Sequence, residues 1–264
     1  MTAREQHILL SFDIEEFDVP CEHGVDLPME EQIRISVEGT HAILDILKDH
    51  RVRATFFSTA NFAQRAPEVI QRLIQEGHEL ASHGFYHSSF EVADLKKSKE
   101  VLEAQTGQTI RGYRMARMMP VSEVEVAKAG YTYNTSLNPT FIPGRYMHLG
   151  TPRTHFMQDG VLQIPASVTP WVRFPLFWLS CHNLPFFLYR QLCRRTLRHD
   201  GYLVTYFHPW EFYELNEHPE FGLSFIVRNN SGRGMIKRLD RWIASFKSEG
   251  ASFITYSEFA DSIS

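Results

Sequence analysis

Short apolar runs alternating with longer segments of helical periodicity constrain this chain more than any other feature. Residues 8–12, 52–58, 78–81, 109–113, 131–134, 161–164, 202–207 and 251–256 read as strands. Segments of helical spacing separate most of them. Residues 33–49 carry Ile33, Val37, Ile43, Leu44 and Leu47, residues 67–76 open on Pro67 and end before Gly77, and residues 90–106 end before Gly107. Residues 122–129, 188–199 and 233–247 add three more helices, the second with a basic face of Arg190, Arg194, Arg195 and Arg198. Strand, helix and strand in alternation predict an α/β fold with parallel strands and crossover helices. Glycines and prolines blur the pattern from 138 to 185. No repeat, low-complexity tract or linker divides residues 1–264, so a single domain is expected.

The polar residues with chemical potential fall just after these strands, which is where barrel enzymes assemble their sites. Ser11-Phe12-Asp13-Ile14-Glu15-Glu16 follows the first apolar run, and Ser82-His83-Gly84-Phe85-Tyr86-His87 follows the third. Asp13 and Glu15 would share a face in a continuing strand. His83 and His87 would stack in a helical turn, although Gly84 leaves a loop equally open. Alone, two acids after a strand make a solvated end or a helix cap, and one H-x-x-x-H is weak. Together they supply one carboxylate and two imidazoles, a facial metal triad with positions left for water and substrate. Asp13 is near enough in sequence to act as a base on that water.

Composition removes several classes of function. A formal charge of −4, histidines neutral, gives no electrostatic reason to expect nucleic acid. Cys21, Cys181 and Cys193 are odd in number and lack C-x-x-C spacing, which disfavours a disulfide framework and suits a reducing compartment. The run at 8–12 is too short for a signal-peptide core, and no stretch approaches eighteen charge-free apolar residues. A bacterial cytoplasmic location is the resulting expectation.

These residues, with three further motifs between about 10 and 211, resemble the polysaccharide deacetylases of the NodB-homology, carbohydrate esterase type. The nearest branch is the one whose first motif reads Asp-x-Glu and which is linked to exopolysaccharide synthesis. The resemblance implies a distorted (β/α) barrel, seven-stranded, that hydrolyses an N-acetyl group from a sugar or glycan. It implies Asp13 as catalytic base, Glu15 as acidic metal ligand, and His83 and His87 as imidazole ligands. Gly112-Tyr113-Arg114 resembles the third motif, whose arginine supports the base. Residues 202–208 resemble the fifth, with Leu203 as an apolar pocket wall and His208 as general acid. Tyr133-Asn134-Thr135-Ser136 stands where the family often has Tyr-Asp-Ser-Ser, implying Tyr133 and Asn134 at the substrate pocket; Trp210 is a further candidate for its wall. Glu15 replaces the usual second aspartate, and Met115-Ala116-Arg117 follows Arg114 in place of a small residue and proline.

The implied cofactor is one divalent ion. Zinc leads, while cobalt, nickel and iron suit the same nitrogen and oxygen donors. An aromatic and proline-rich stretch at 171–192 has Trp171, Phe174, Phe177, Trp178, Phe186 and Phe187 beside Arg173 and Arg190. It reads either as a core excursion or oligomer contact, or as a surface for a lipid-linked sugar at the inner membrane, with arginines meeting phosphate. A catalytically silent carbohydrate-binding or assembly protein on the same scaffold is the alternative to an enzyme.

Overall fold

Strand β1 (His7–Ile14) is buried at every position after His7, and a strand covered on both faces reads in sequence as a near-continuous apolar run. The computed structural model describes residues 5–263, so residues 1–4 and 264 of the expected single domain lie outside the described residues. Chain order continues with β2 (Thr55–Ser58), β3 (Glu79–Ser82), β4 (Gly112–Tyr113) and β5 (Tyr133–Asn134). A small separate hairpin follows, β6 (Phe141–Ile142) with β7 (Tyr146–Met147), and then β8 (Phe156–Gln158), β9 (Val161–Gln163), β10 (Tyr202–Phe207) and β11 (Ser252–Phe253). The helices are α1 (Val19–Glu22), α2 (Met29–His50), α3 (Ala60–Arg65), α4 (Pro67–Gln75), α5 (Val92–Thr106), α6 (Glu123–Lys128), α7 (Trp178–Asn183), α8 (Phe186–Asp200), α9 (Phe225–Arg228), α10 (Arg233–Ser248) and α11 (Tyr256–Ser262).

The main sheet runs β10-β1-β2-β3-β4-β5-β9-β8, with β11 also pairing with β1. From β10 to β9 every pairing is parallel, giving the seven parallel strands of a distorted, open barrel. Among the described residues the sheet nevertheless holds nine strands, two more than expected. One is β8, antiparallel to β9. Asp159 and Gly160 between them have φ of 48° and 81°, and two consecutive left-handed residues form the turn that returns a strand antiparallel. The other is β11, only two residues long, beside the start of β1. The sequence expectation of a strand over 251–256 fails at its end, because Tyr256 starts α11. Thr255 accepts from the Glu258 amide while Glu258 accepts from the Thr255 amide, a reciprocal cap that nucleates a helix. The gap between β9 and β10 is bridged by Ser167, whose amide donates to Val204 O at 3.0 Å and whose hydroxyl accepts from Val204 N at 2.9 Å.

Strand alternation sorts β1 into two layers. Ile8, Leu10, Phe12 and Ile14 face outward onto Ile43, Leu44 and Leu47 of α2 and Trp242 and Phe246 of α10. Leu9 points inward to a floor shared with Phe57, Tyr133, Val204 and Tyr256. Asp13 has the same parity as Leu9 and faces the mouth of the barrel. α2 touches the turn after β10 so closely that a Cβ at Gly39 would lie 1.9 Å from the Pro209 carbonyl oxygen. Only glycine permits that approach, and it fixes the turn next to His208.

Candidate metal centre

Sheet register brings the candidate residues to one height. Ile14 pairs with Ser58, Ser58 with Ser82, and Ser82 with Tyr113. The following residues, Glu15, His83 and Arg114, therefore leave β1, β3 and β4 at one level, with β2 between the first two. The ladder extends one step further, with His83 N–H donating to Ser58 O and Arg114 N–H to Ser82 O. On the other side Phe12 pairs with Phe207, so Asp13 lies level with His208. These are the C-terminal ends of parallel strands, where the connecting loops open a cavity of about 360 Å³. Asp13, Glu15, His83, His87, His208 and Trp210 all line it.

β1 ends at Ile14, and Glu15 turns into the cavity beside Asp13. His83 and His87 sit on a loop entered through Gly84 at φ +86°, not on a helical turn. Their rings are stacked with centroids 5.8 Å apart. Glu15 Oε2 lies 3.0 Å from His83 Nε2 and 3.1 Å from His87 Nε2, yet it makes no hydrogen bond and is buried. The outer ring nitrogens explain why. His83 Nδ1 faces the Arg114 carbonyl at 2.9 Å and His87 Nδ1 faces Asp18 Oδ1 at 2.7 Å. Both Nδ1 atoms must donate to these acceptors, which leaves each neutral ring with a bare Nε2 lone pair. Two imidazole lone pairs and an orphaned carboxylate oxygen thus converge within 4.8 Å. That donor set fits a divalent ion.

The electrostatics of the cluster favour positive charge at the same place. Burial alone would raise the Glu15 pKa, but the facing His87, His83 and His208 hold it down at about 2. Burial opposes charge on His87, but Glu15 and Asp18 outweigh it and push its pKa up to about 9. The cluster draws positive charge whether a proton or a metal supplies it.

Arg114 is fully buried at the base of the cavity. It donates through Nη1 to Asp13 Oδ1 and through Nη2 to Ser11 Oγ at 2.9 Å and Tyr256 OH at 3.0 Å. Its guanidinium carbon lies 4.0 Å from the centre of the Phe57 ring. Burial works against its charge, and the Asp13 carboxylate more than restores it. Asp13 Oδ2 is left facing His208 Nε2 at 3.9 Å. His208 stacks on Trp210 with ring centres 4.9 Å apart, while Trp178 meets it edge-on at 5.4 Å. Burial would lower the His208 pKa, but its bond to Glu211 and the Glu15 and Asp13 carboxylates raise it.

Three residues expected at the pocket lie elsewhere. Leu203 is fully buried in the outer core. It stands five residues before His208, an odd separation, so strand alternation turns it to the opposite face; Tyr206, of matching parity, lines the cavity instead. Tyr133 is buried in the floor, its hydroxyl donating to Glu79 Oε1 at 2.9 Å. Its ring occupies the space that a Cβ on Gly112 would need, at 2.0 Å. Asn134 points out of the barrel, donating to both carboxylate oxygens of Glu123 on α6. The aromatic stretch divides: Trp171 is 77% exposed, whereas Phe177, Trp178 and Leu179 wall the cavity.

Sequence reasoning missed Asp18, Arg117, Glu211 and His182. Asp18 holds His87 and is itself held by Arg117 Nη2 at 2.8 Å. A fourth acid in the run after Asp13, Glu15 and Glu16 was its only signal. Glu211 stands three residues after His208 with proline between, a capping pattern readable in sequence, whereas nothing marked His182.

The sequence profile described as Polysaccharide deacetylase matches residues 2–133, half of the chain. A chitooligosaccharide deacetylase of Sinorhizobium fredii is 36% identical over 93 residues, covering 35% of this chain and 40% of that protein. A peptidoglycan-N-acetylmuramic acid deacetylase of Bacillus subtilis is 35% identical over 65 residues, 25% of each chain. The matched segments thus span well under half the length of these relatives. A Mycobacterium smegmatis structure ascribed to the polysaccharide deacetylases superposes with a TM-score of 0.69 at 19% identity, covering 99% of this chain and 91% of that one. That likeness speaks for the fold alone. The profile match, running from the N-terminus through both ligand-bearing strands to β5, makes the chain a member of the polysaccharide deacetylase family.

Proposed function

We propose that this protein is a metal-dependent carbohydrate N-deacetylase that releases acetate from an N-acetylated sugar or glycan. The observation that carries this reading is the convergence of two bare imidazole nitrogens and one orphaned carboxylate oxygen beside a buried Asp13–Arg114 pair and His208. Glu15, His83 and His87 would hold the ion, and zinc suits their donors best. When bound, the ion supplies Lewis acidity, lowering the pKa of water and polarising an amide carbonyl. Arg114 pins Asp13 Oδ1, leaving Oδ2 to accept a proton from the attacking water. His208, protonated at Nε2, donates to the departing nitrogen, so one water and one acetamide become acetate and an amine. Trp178, Trp210 and Tyr206 form an aromatic wall suited to the apolar face of a sugar ring. The relatives' names, chitooligosaccharide and peptidoglycan deacetylase, support an acetamido sugar as the substrate class.

Acetate release from a panel of acetylated saccharides tests the activity, and a fully metallated protein inactive across the whole panel counts against it. Metal analysis of protein purified without added ions tests zinc. A different stoichiometric metal that supports activity would overturn that assignment.

For the finer substrate we propose a lipid-linked acetamido sugar, handled in the bacterial cytoplasm at the inner membrane face. Trp171 and Val172 are 77% and 80% exposed on a loop tied to the β6–β7 segment, where Arg173 Nη1 donates to the Pro139 and Thr151 carbonyls. Ile142, Arg145 and Tyr146 of that hairpin region line the cavity. Arg145 there suits a phosphate.

A further inference from the structure

Behind His208 lies a buried chain of polar groups that the deacetylase reading does not use. Glu211 Oε1 accepts from the His208 backbone amide at 2.6 Å and faces its ring Nδ1 at 2.8 Å. The other carboxylate oxygen, Oε2, lies 2.9 Å from His182 Nε2. His182 Nδ1 in turn lies 2.5 Å from the Asn229 carbonyl. Glu211 and His182 are both fully buried.

The contacts fix the proton count. A carbonyl oxygen only accepts, so His182 Nδ1 carries a hydrogen. Glu211 Oε1 accepts from the His208 amide, and a His208 charged for the acid role carries a hydrogen on Nδ1 as well as on Nε2, so Nδ1 donates and Oε1 carries none. Between Oε2 and His182 Nε2 a proton is required, because two bare lone pairs facing each other at that distance, away from water, would leave both groups unsatisfied. The proton belongs to imidazolium facing carboxylate or to carboxylic acid facing imidazole. In either case the pair carries no net charge.

We propose that Glu211 and His182 share one proton as a neutral buried pair that positions His208, making His182 a positioning residue for the general acid. The term general acid rests on the deacetylase reading above; the pair itself does not. Glu211 then acts on His208 as an oriented acceptor that aims Nε2 into the cavity, with the charge of the pair cancelled by the shared proton so that the acid's own proton is not bound too tightly. The remaining groups facing His208 are Asp13 and Glu15 from the β1 end and the rings of Tyr206, Trp178 and Trp210. Those around His182 are Glu211, the edge-on Trp178 ring, and Arg238 of α10, which binds the Cys181 and Leu184 carbonyls.

The test is an NMR titration of the His208 ring in metal-loaded protein. Glu211→Gln keeps the shape and the acceptor for His208, and its amide can donate to a neutral His182. If the original pair is neutral, the His208 midpoint stays within about half a unit of the parent. His182→Phe strands Glu211 as a lone carboxylate and raises the midpoint by about one unit, the scale set by a nearby charge. A fall of about one unit in Glu211→Gln overturns the shared proton. A His182→Phe midpoint at or below the parent's overturns the role of His182. Both titrations read the ring and need no turnover. Absence of acetate release with these shifts as expected would sink the deacetylase reading and leave the pair standing.

Discussion

Asp13 and Glu15 stand two positions apart, yet their surroundings assign them different work. Asp13 is gripped by a buried arginine, and Glu15 presents an orphaned oxygen to two imidazoles. Asp13→Asn is therefore expected to keep its metal while losing about 10²–10⁴-fold in turnover, the worth of a general base. Catalytic efficiency equal to the parent's would defeat the assignment. His83→Ala and His87→Ala should lose metal and activity together, read by elemental analysis after dialysis. Asp18→Asn probes the layer behind the ligands. Its carboxylate fixes His87 with Nε2 inward, so metal affinity should weaken about 10–100-fold, with competition against a chelator as the measurement. Spacing marked the candidate ligands and the candidate base, but Asp18 declared itself only once folding had brought it 2.7 Å from a histidine 69 residues away.

Among the elements, α2 and the turn after β10 meet at one unforgiving point. Gly39→Ala should gain helix propensity of about 1 kcal/mol, but the Cβ collides with the Pro209 backbone, which cannot swing aside as a side chain would. Net destabilisation of about 1–3 kcal/mol is expected, with slower turnover at unchanged metal content because His208 adjoins that proline. Calorimetry and metal analysis together check it; a variant as stable as the parent would show that the turn yields. The entry to β3 carries a pH-sensitive device. Burial pushes the His78 pKa down to about 4, against the opposing pull of Glu76, and its Nδ1 accepts from the Ala54 amide. The folded pKa lies below the unfolded value near 6.5, so the unfolded chain binds the proton first. Stability is whole above pH 6.5 and is lost as pH falls toward 4, by roughly 2 kcal/mol at pH 5. His78→Asn can retain the acceptor without the titration, and urea midpoints at pH 7 and pH 5 should differ less in that variant than in the parent. An equal drop in both would place the acid sensitivity elsewhere.

At the scale of the whole molecule, the exposed apolar side chains of Trp171 and Val172 make the lipid-linked substrate proposal testable. A matched acetamido sugar should turn over faster when joined to polyprenyl diphosphate, and Trp171→Ser with Phe174→Ser should remove that preference. No carrier preference, together with full lipid-linked activity in the folded double variant, rejects the membrane reading alone. No helix of the described residues is long and apolar enough to cross a membrane, so contact of this kind would be made by the loops. Local patterning determined the parallel α/β architecture, because period-two and period-3.6 apolar spacing survive in any context that buries one face. It also marked both ligand-bearing stretches, since strand ends deliver their next residues to one rim. Tertiary structure alone decided what depends on facing direction and distant partners. It turned Leu203 and Asn134 outward, packed Tyr133 into the floor, added β8 through an Asp-Gly turn, and paired Glu211 with a histidine 29 residues upstream. A strand of two residues carries too little periodicity to fix its own orientation, and a buried proton belongs to two side chains that sequence does not place together.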